Sequence, residues 1–279
     1  MLSNITLSIV AYNSASVLPA CVASVPRDCP VLIFDNASRD DGALLAQRIR
    51  PDAQVVRSDT NIGFGNAHNR LLARVRTPFA LVLNPDAVLH ADTLERLLQA
   101  AQDNPKAAII GALHRDHDGR VEPSFRPFNE AIDAVTEVEM ISGAVMLLRM
   151  EAFEGVFFDP KIFLYFEDDD ICLAARKRGW KVIVQPQAHI THTPGMSSGK
   201  PTWNSIRRRY YHFAYSRCYF EDKQQNFDPE SFRRFVRGMQ GKLLKRLLVA
   251  AVTLKSHRVA RFYGELCGTR AYCAGRKSI

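Results

Sequence analysis

The stretch ITLSIVAYNSASVLPACVASVPRDCPVLIFDN, residues 5–36, carries the reading of the fold. Residues 5–12 are apolar and rich in β-branched side chains, and residues 30–35 repeat that character after a helical stretch around 15–24. The same alternation continues with AQVVRS (53–58) and PFALVLN (78–84), separated by helical stretches around 40–49, 65–75 and 91–103. Strands alternating with helices at this spacing imply an α/β architecture of parallel strands joined by crossover helices. In such sheets the ligand sits beyond the carboxyl ends of the strands. Those ends are Tyr12 and Asn13, Asp35 and Asn36, Asp59 to Asn61, and Asn84 to Asp86. All four are polar, as a binding site requires.

The second half is less regular. VEMISGAVMLLRM (138–150) reads as a buried strand and FDPKIFLYFEDDD (158–170) as a loop. ICLAARKRGW (171–180) reads as a helix ended by Gly179, and KVIVQP (181–186) as a short strand. From Trp203 the pattern is helical and basic.

The 279 residues are 47% hydrophobic and 24% charged, as in an ordinary soluble globular chain long enough to bury a real core. No signal peptide is read at the start, and no apolar run reaches the length of a spanning helix. Six cysteines lack CxxC or zinc-type spacing, so they read as reduced thiols in a cytoplasmic protein, several of them core fillers. The net charge of +8 is unevenly spread. From Ser231 onward stand twelve of the 37 Lys and Arg but one of the 29 acids, Glu265. That asymmetry points to an anionic partner surface.

Five motifs carry chemistry. In DNASRDDG (35–42), Asp35 ends a strand, where it can accept from a base or ribose, and Ser38 to Asp41 can cap the following helix. NIGFGNAHN (61–69) resembles a phosphate loop at a helix start, but His68 replaces the third glycine of the dinucleotide fingerprint. LVLNPDA (81–87) reads equally as strand-to-turn punctuation or as two hard oxygen donors for Mg²⁺ or Mn²⁺. HITHTPGMSSGK (189–200) offers a neutral imidazole as a further metal ligand. In the acid run Glu167 to Asp170, helix capping explains one or two carboxylates and leaves the others for catalysis.

The blocks SIVAYNS, DNAS, NIGFGNAHN, LNPDA, ISGAVMLLR and FDPKIFLYFEDDDICLAARKRGW, followed by His192, stand in an informative order. In that order they resemble the family 2 inverting glycosyltransferases, especially the bacterial rhamnosyltransferase-like subgroup, over roughly residues 5–220. The resemblance implies a GT-A fold: a mostly parallel twisted central sheet flanked by helices, with residues 221–279 as a basic helical extension. It implies a nucleotide-diphosphate sugar donor such as dTDP-rhamnose, a glycan or lipid-linked glycan acceptor, and Mg²⁺ or Mn²⁺. It places the nucleotide near Ala11, Tyr12, Asp35, Asn61, Gly65, Asn69 and Asn84, and the metal on Asp86 and His192. Asp168 matches the catalytic base, with Glu167 toward the acceptor, while His189 reads as structural. Asn84 replaces the first Asp of the family's Asp-x-Asp motif, which lowers the charge of the metal site.

The tail segment MQGKLLKRLLVAAVTLKSHRVARFYG (239–264) holds no acid, and Leu244, Leu247, Leu248 and Ala251 follow helical spacing. It reads either as an interfacial helix on anionic lipid, peripheral on the inner face of the cell membrane, or as a terminal helix packed on the catalytic domain. The Arg- and Tyr-rich stretch at 205–220 reads as an acceptor-side helix rather than a nucleic-acid surface. A catalytically inactive nucleotide- or carbohydrate-binding protein of the same fold is the alternative. A nucleotidyltransferase would need a basic glycine-rich loop, and SIVAYNSAS has no Lys or Arg.

Overall fold

A computed structural model describes residues 2–192, 201–224, 228–276 and 278. These residues form two compact units. The first takes residues before Pro160 and those from Asp168 through the last strand. The second takes Pro160–Glu167 and the three C-terminal helices. Part of the 189–200 motif lies outside the described residues.

The first unit runs β1 (Ile5–Ala11), α1 (Leu18–Ala23), β2 (Val31–Asn36), α2 (Gly42–Ile49), β3 (Gln54–Ser58), α3 (Phe64–Leu72), β4 (Phe79–Leu83), β5 (Ala87–Leu89), α4 (Thr93–Asp103) and β6 (Ala107–Arg115). It continues with β7 (Val121–Glu122), β8 (Phe125–Arg126), β9 (Thr136–Glu137), β10 (Met140–Ile141), β11 (Val145–Arg149), α5 (Glu167–Lys177) and β12 (Lys181–His192). The main sheet has the order β3-β2-β1-β4-β11-β6-β12-β5, with β7 and β9 joined at its margins. β1, β2, β3 and β4 pair in parallel, as do β6 and β12, while β11 runs antiparallel between β4 and β6.

β1 is buried along all seven residues, as a central strand covered on both faces must be. Its alternate residues Ile5, Leu7, Ile9 and Ala11 face a core that includes Leu18 and Cys21 of α1, Ala46 of α2 and Leu97 of α4. Val10 faces the opposite core, with Leu71 of α3 and Ile171 and Ala175 of α5. The period of two along the strand thus sorts the helices into two layers.

Three expectations are corrected. Residues 138–150 do not form one strand: Ser142 to Ala144 separate β10, in a two-stranded ribbon with β8, from β11 in the main sheet. The strand starting at Lys181 does not stop at Pro186 but runs to His192. A register shift between Gln185 and His189 accommodates the proline, which cannot donate to a regular ladder. Finally, residues 239–264 are not one continuous helix, as the second unit shows.

That unit contains α6 (Trp203–Lys223), α7 (Pro229–Val252) and α8 (Ser256–Cys273), so α6 groups with the helices beyond residue 220. Gly264 and Gly268 let α8 approach α6 closely, because a Cβ at either would overlap the backbone carbonyl of Arg207 or Tyr211. The aromatic run before the acids is anchored on α6: Phe163 stacks on His212 at 4.6 Å, and Phe166 packs near Phe213 and Phe220. The Ser216 hydroxyl donates to the Leu164 carbonyl (2.8 Å). No helix among the described residues is long and apolar enough to cross a membrane.

Candidate active site

The loops after β1 and β2 are tied together. Ala11 is in register with Asp35, and Asp35 with Arg57. The Asn13 N–H donates to Ser38 Oγ (3.0 Å) and Asn13 Oδ1 accepts from the Arg39 N–H (2.8 Å). Asp40 accepts from the Ala15 N–H (2.8 Å) and from Gly42 (3.2 Å), the first residue of α2. Ser38 therefore acts across loops rather than as a helix cap, and Asp41 at the N-cap makes no side-chain cap bond. Asp35 accepts the Ser38 N–H through Oδ1 (3.0 Å), leaving Oδ2 4.0 Å from the exposed Arg57 guanidinium. Tyr12, half-buried, follows Ala11 at the mouth of these loops.

The glycine loop divides into two roles. Asn36 grips it, accepting the Ile62 N–H (2.8 Å) and donating to Asn61 Oδ1 (3.1 Å) and Gly63 O (3.3 Å). Gly63 has φ 89°, which explains a glycine at the α3 N-cap. Gly65 and Asn69, expected to line the nucleotide pocket, both engage Phe158. A Cβ at Gly65 would stand 2.8 Å from the Phe158 Cβ. The Asn69 amide donates to the Phe158 carbonyl (2.8 Å) and accepts its N–H (3.0 Å). These two residues anchor the segment leading toward the acid run.

His68 is fully buried beneath β1, with Nδ1 2.8 Å from the Ser8 hydroxyl and the Phe64 ring edge-on at 4.4 Å. Burial pushes its pKa down to about 3. The unfolded chain protonates this imidazole below about pH 6.5 while the folded chain resists, so stability falls as pH drops from there toward 3. By pH 4.5 this histidine alone accounts for a loss of roughly 1–3 kcal/mol. Urea titrations of His68→Gln and the parent at pH 7.5 and 4.5 measure it. A variant with the parent's full acid sensitivity refutes the assignment.

Asp86 and His192, 106 positions apart, meet because β5 pairs antiparallel with the extended end of β12, setting His192 opposite Ala87. Their Oδ1 and Nε2 atoms lie 3.4 Å apart, and both residues are buried. Neither atom has a hydrogen-bond partner among the described residues. Two buried polar atoms without partners are costly unless something binds them. A carboxylate oxygen and an imidazole nitrogen turned to one point fit a divalent cation, so the donor set suits Mg²⁺ or Mn²⁺. No group of three or more His, Cys, Asp or Glu placed to hold a metal occurs among the described residues. Such a cation would take its remaining ligands from phosphate oxygens and water. Burial, reinforced by nearby Asp86, pushes the Cys21 thiol up, and it donates to the Asn84 carbonyl (3.4 Å). Cys21 is thus a core thiol rather than a thiolate ligand.

Asp168 lies in the first turn of α5, half-buried. Its Oδ2 accepts the Gly143 N–H (3.3 Å) and its Oδ1 the Asp169 N–H (3.0 Å). Burial raises its pKa above the ordinary aspartate value, against the Gly143 bond and the Arg126 charge, which pull it down. Asp169 forms an ion pair with Arg126, so its carboxylate is held by a charge rather than turned back to the helix end. Tyr165 and Phe166, just ahead of Glu167 in the chain, have φ of 67° and 68°. Bulky residues in this region cost on the order of 1–3 kcal/mol each, and such strain gathers at functional sites. Glu167 itself is buried.

A short path of backbone and hydrogen bonds joins Asp168 to the Asp86–His192 pair. Gly143 holds Asp168, the next residue Ala144 accepts the Asn84 N–H (2.9 Å), and Asn84 leads through Pro85 to Asp86. Three residues touching this path were not singled out from sequence. Gly143 is one. Arg126 is the second. The third is His114, buried at the end of β6 with its ring 5.3 Å from that of His192. Burial and His192 push its pKa down to about 3, which keeps it neutral. A histidine closing the apolar run AAIIGALHR was the available signal. His189 stands apart from Asp86 and His192 in its bonding, accepting from Arg115 Nε (3.3 Å) beside His90.

Comparison with known proteins identifies the family and the fold. The Glycosyl transferase family 2 model matches residues 6–173. N-acetylglucosaminyl-diphospho-decaprenol L-rhamnosyltransferase of Mycobacterium tuberculosis is 29% identical over 234 residues, covering 68% of this chain and 76% of that protein. Rhamnosyltransferase WbbL of Escherichia coli is 28% identical over 159 residues, covering 47% and 60%. Among solved structures, the mannosyltransferase PcManGT from Pyrobaculum calidifontis, in complex with GDP-Man and Mn²⁺, superposes with TM-score 0.62 at 16% identity, covering 98% of this chain and 88% of that one. TarS 1–349 of S. aureus in complex with UDP-GlcNAc gives 0.57 at 15% identity, covering 98% and 92%. These two establish a GT-A fold, and with the family model spanning more than half its length, the chain belongs to glycosyl transferase family 2 and is a glycosyltransferase.

Proposed function

We propose that this enzyme transfers a sugar, rhamnose or a close analogue, from a nucleotide-diphosphate donor such as dTDP-rhamnose to a hydroxyl of a glycan or lipid-linked glycan, with inversion. The observation that carries the reading is the hydrogen-bonded path from Asp168 through Gly143, Ala144 and Asn84 to the buried Asp86–His192 pair, which has no hydrogen-bond partner among the described residues. Tyr12, Asp35 and Asn61 would meet the nucleoside, and Asn84 its diphosphate, with Gly65 and Asn69 supporting from below. Asp86 and His192 would hold a divalent cation, which when bound neutralises charge on the departing diphosphate. Asp168 takes the proton from the acceptor hydroxyl as that oxygen attacks the anomeric carbon. The bond from that carbon to the phosphate oxygen breaks, and the electron pair leaves with the nucleoside diphosphate. Glu167, next in the chain, would contact acceptor hydroxyls. The names of the rhamnosyltransferase relatives support the sugar, and the lipid-linked substrate in one of those names supports a membrane-side acceptor.

Melting curves with a panel of sugar nucleotides, with and without Mn²⁺, test this. At a concentration about a hundredfold above Kd the true donor adds roughly 2–3 kcal/mol, a rise of several degrees in Tm. dTDP-rhamnose with Mn²⁺ is expected to give the largest rise. A flat response to every nucleoside-diphosphate sugar would overturn the proposal.

A further inference from the structure

The second unit exposes apolar side chains where its helices turn. Leu244, Leu248, Val249 and Val252 on α7 are 41%, 66%, 63% and 84% exposed, and Leu254 in the turn to α8 is 90% exposed. Positions 244, 248 and 252 form one stripe, with 249 at its edge. The opposite side of α7 is already occupied, since Val236, Leu243 and Ala250 are buried. Scattered exposed leucines need no explanation, but five large apolar side chains within eleven residues do.

The surroundings select the partner. Lys242, Lys245, Arg246, Lys255 and Arg258 are all exposed around the stripe. A pocket of about 290 Å³ at the corner is lined by Lys245, Arg246 and Arg258 together with Val249, Thr253 and Phe262. No acid stands between Glu230 and Glu265. A second copy meeting this face about a two-fold axis would set these cations against themselves. Phosphate headgroups over acyl chains complement both the charge and the apolar tip.

We infer that the α7–α8 corner is a membrane-insertion tip: Val252 and Leu254 enter the acyl boundary of an anionic bilayer while Lys245, Arg246 and Arg258 hold lipid phosphates. This deepens the reading of a lipid-linked acceptor and replaces an interfacial helix lying flat with a corner that enters end-on.

Flotation of the full chain with phosphatidylcholine vesicles, with or without phosphatidylglycerol and without donor, tests the tip. The parent is expected to float with the phosphatidylglycerol vesicles and remain behind with phosphatidylcholine alone. Val252→Asp/Leu254→Asp and, separately, Lys245→Glu/Arg246→Glu/Arg258→Glu are each expected to weaken partitioning tenfold or more. Leu254→Trp is expected to give a blue-shifted emission quenched by brominated acyl chains. Equal binding to both vesicles, unchanged binding by the aspartate variant, or a dimer that those aspartates dissociate would each overturn the inference. The donor-induced rise in Tm, read without lipid, reports the transferase reading separately.

Discussion

Asp168→Asn is expected to lower kcat by about 10²–10⁴-fold while leaving the Kd for the nucleoside diphosphate close to that of the parent. The amide is nearly isosteric and can still accept the Gly143 N–H, so the start of α5 should hold its place. What it loses is basicity. Single-turnover transfer and calorimetric nucleotide binding on the same preparation separate the two effects, and unchanged turnover removes Asp168 from the base role. The pH profile gives a second, independent sign. A base must be deprotonated to act, and burial sets this carboxyl above the usual aspartate value. The acid limb of kcat/KM should therefore lie above the pH at which an ordinary aspartate titrates. Arg126 opposes that shift, so Arg126→Gln should move the limb further up.

The second large effect is expected at the buried pair. Asp86→Ala and His192→Leu should each reduce transfer by on the order of 10²–10⁴-fold, equivalent to several kcal/mol of charge stabilisation in the transition state. Mn²⁺ binding in the presence of nucleoside diphosphate, followed by electron paramagnetic resonance, should weaken in parallel. The stability of the unliganded chain should change far less than Mn²⁺ affinity. Asp86 Oδ1 and His192 Nε2 are buried without hydrogen-bond partners among the described residues, so removing either breaks no hydrogen bond. Loss of Mn²⁺ affinity together with an undiminished Tm identifies a ligand pair. A collapse in Tm with Mn²⁺ affinity retained would make the pair structural.

The first four strands were legible because each of the three crossovers repeats one pattern, an apolar run followed by a short helix of six to nine residues. Beyond residue 100 the periodicity fails for identifiable reasons. β6 lies in an apolar run that follows α4 directly, and the 138–150 run conceals a break at Ser142 to Ala144. Pro186 looks like the end of a strand, yet a bulge carries the strand six residues further and so delivers His192 to Asp86. The site shows the same division. Asp35 and Asp86 could be placed from strand ends alone, whereas His192 and Asp168 drew their roles from resemblance. Gly65 and Asn69 show the limit of a motif: their polar and steric capacity goes to Phe158, 89 residues beyond Asn69, a contact that local patterning does not encode.

Gly143 and Ala144 are consecutive, and one holds Asp168 while the other holds the strand end that leads to Asp86. On the proposed roles, the separation between proton acceptor and leaving-group site is set by a single stretch of main chain, whose covalent dimensions side-chain replacements leave unchanged. Pocket walls supplied by loops are free to diverge around this fixed gauge. New donors or acceptors can be explored by altering those walls, with the reaction geometry inherited intact.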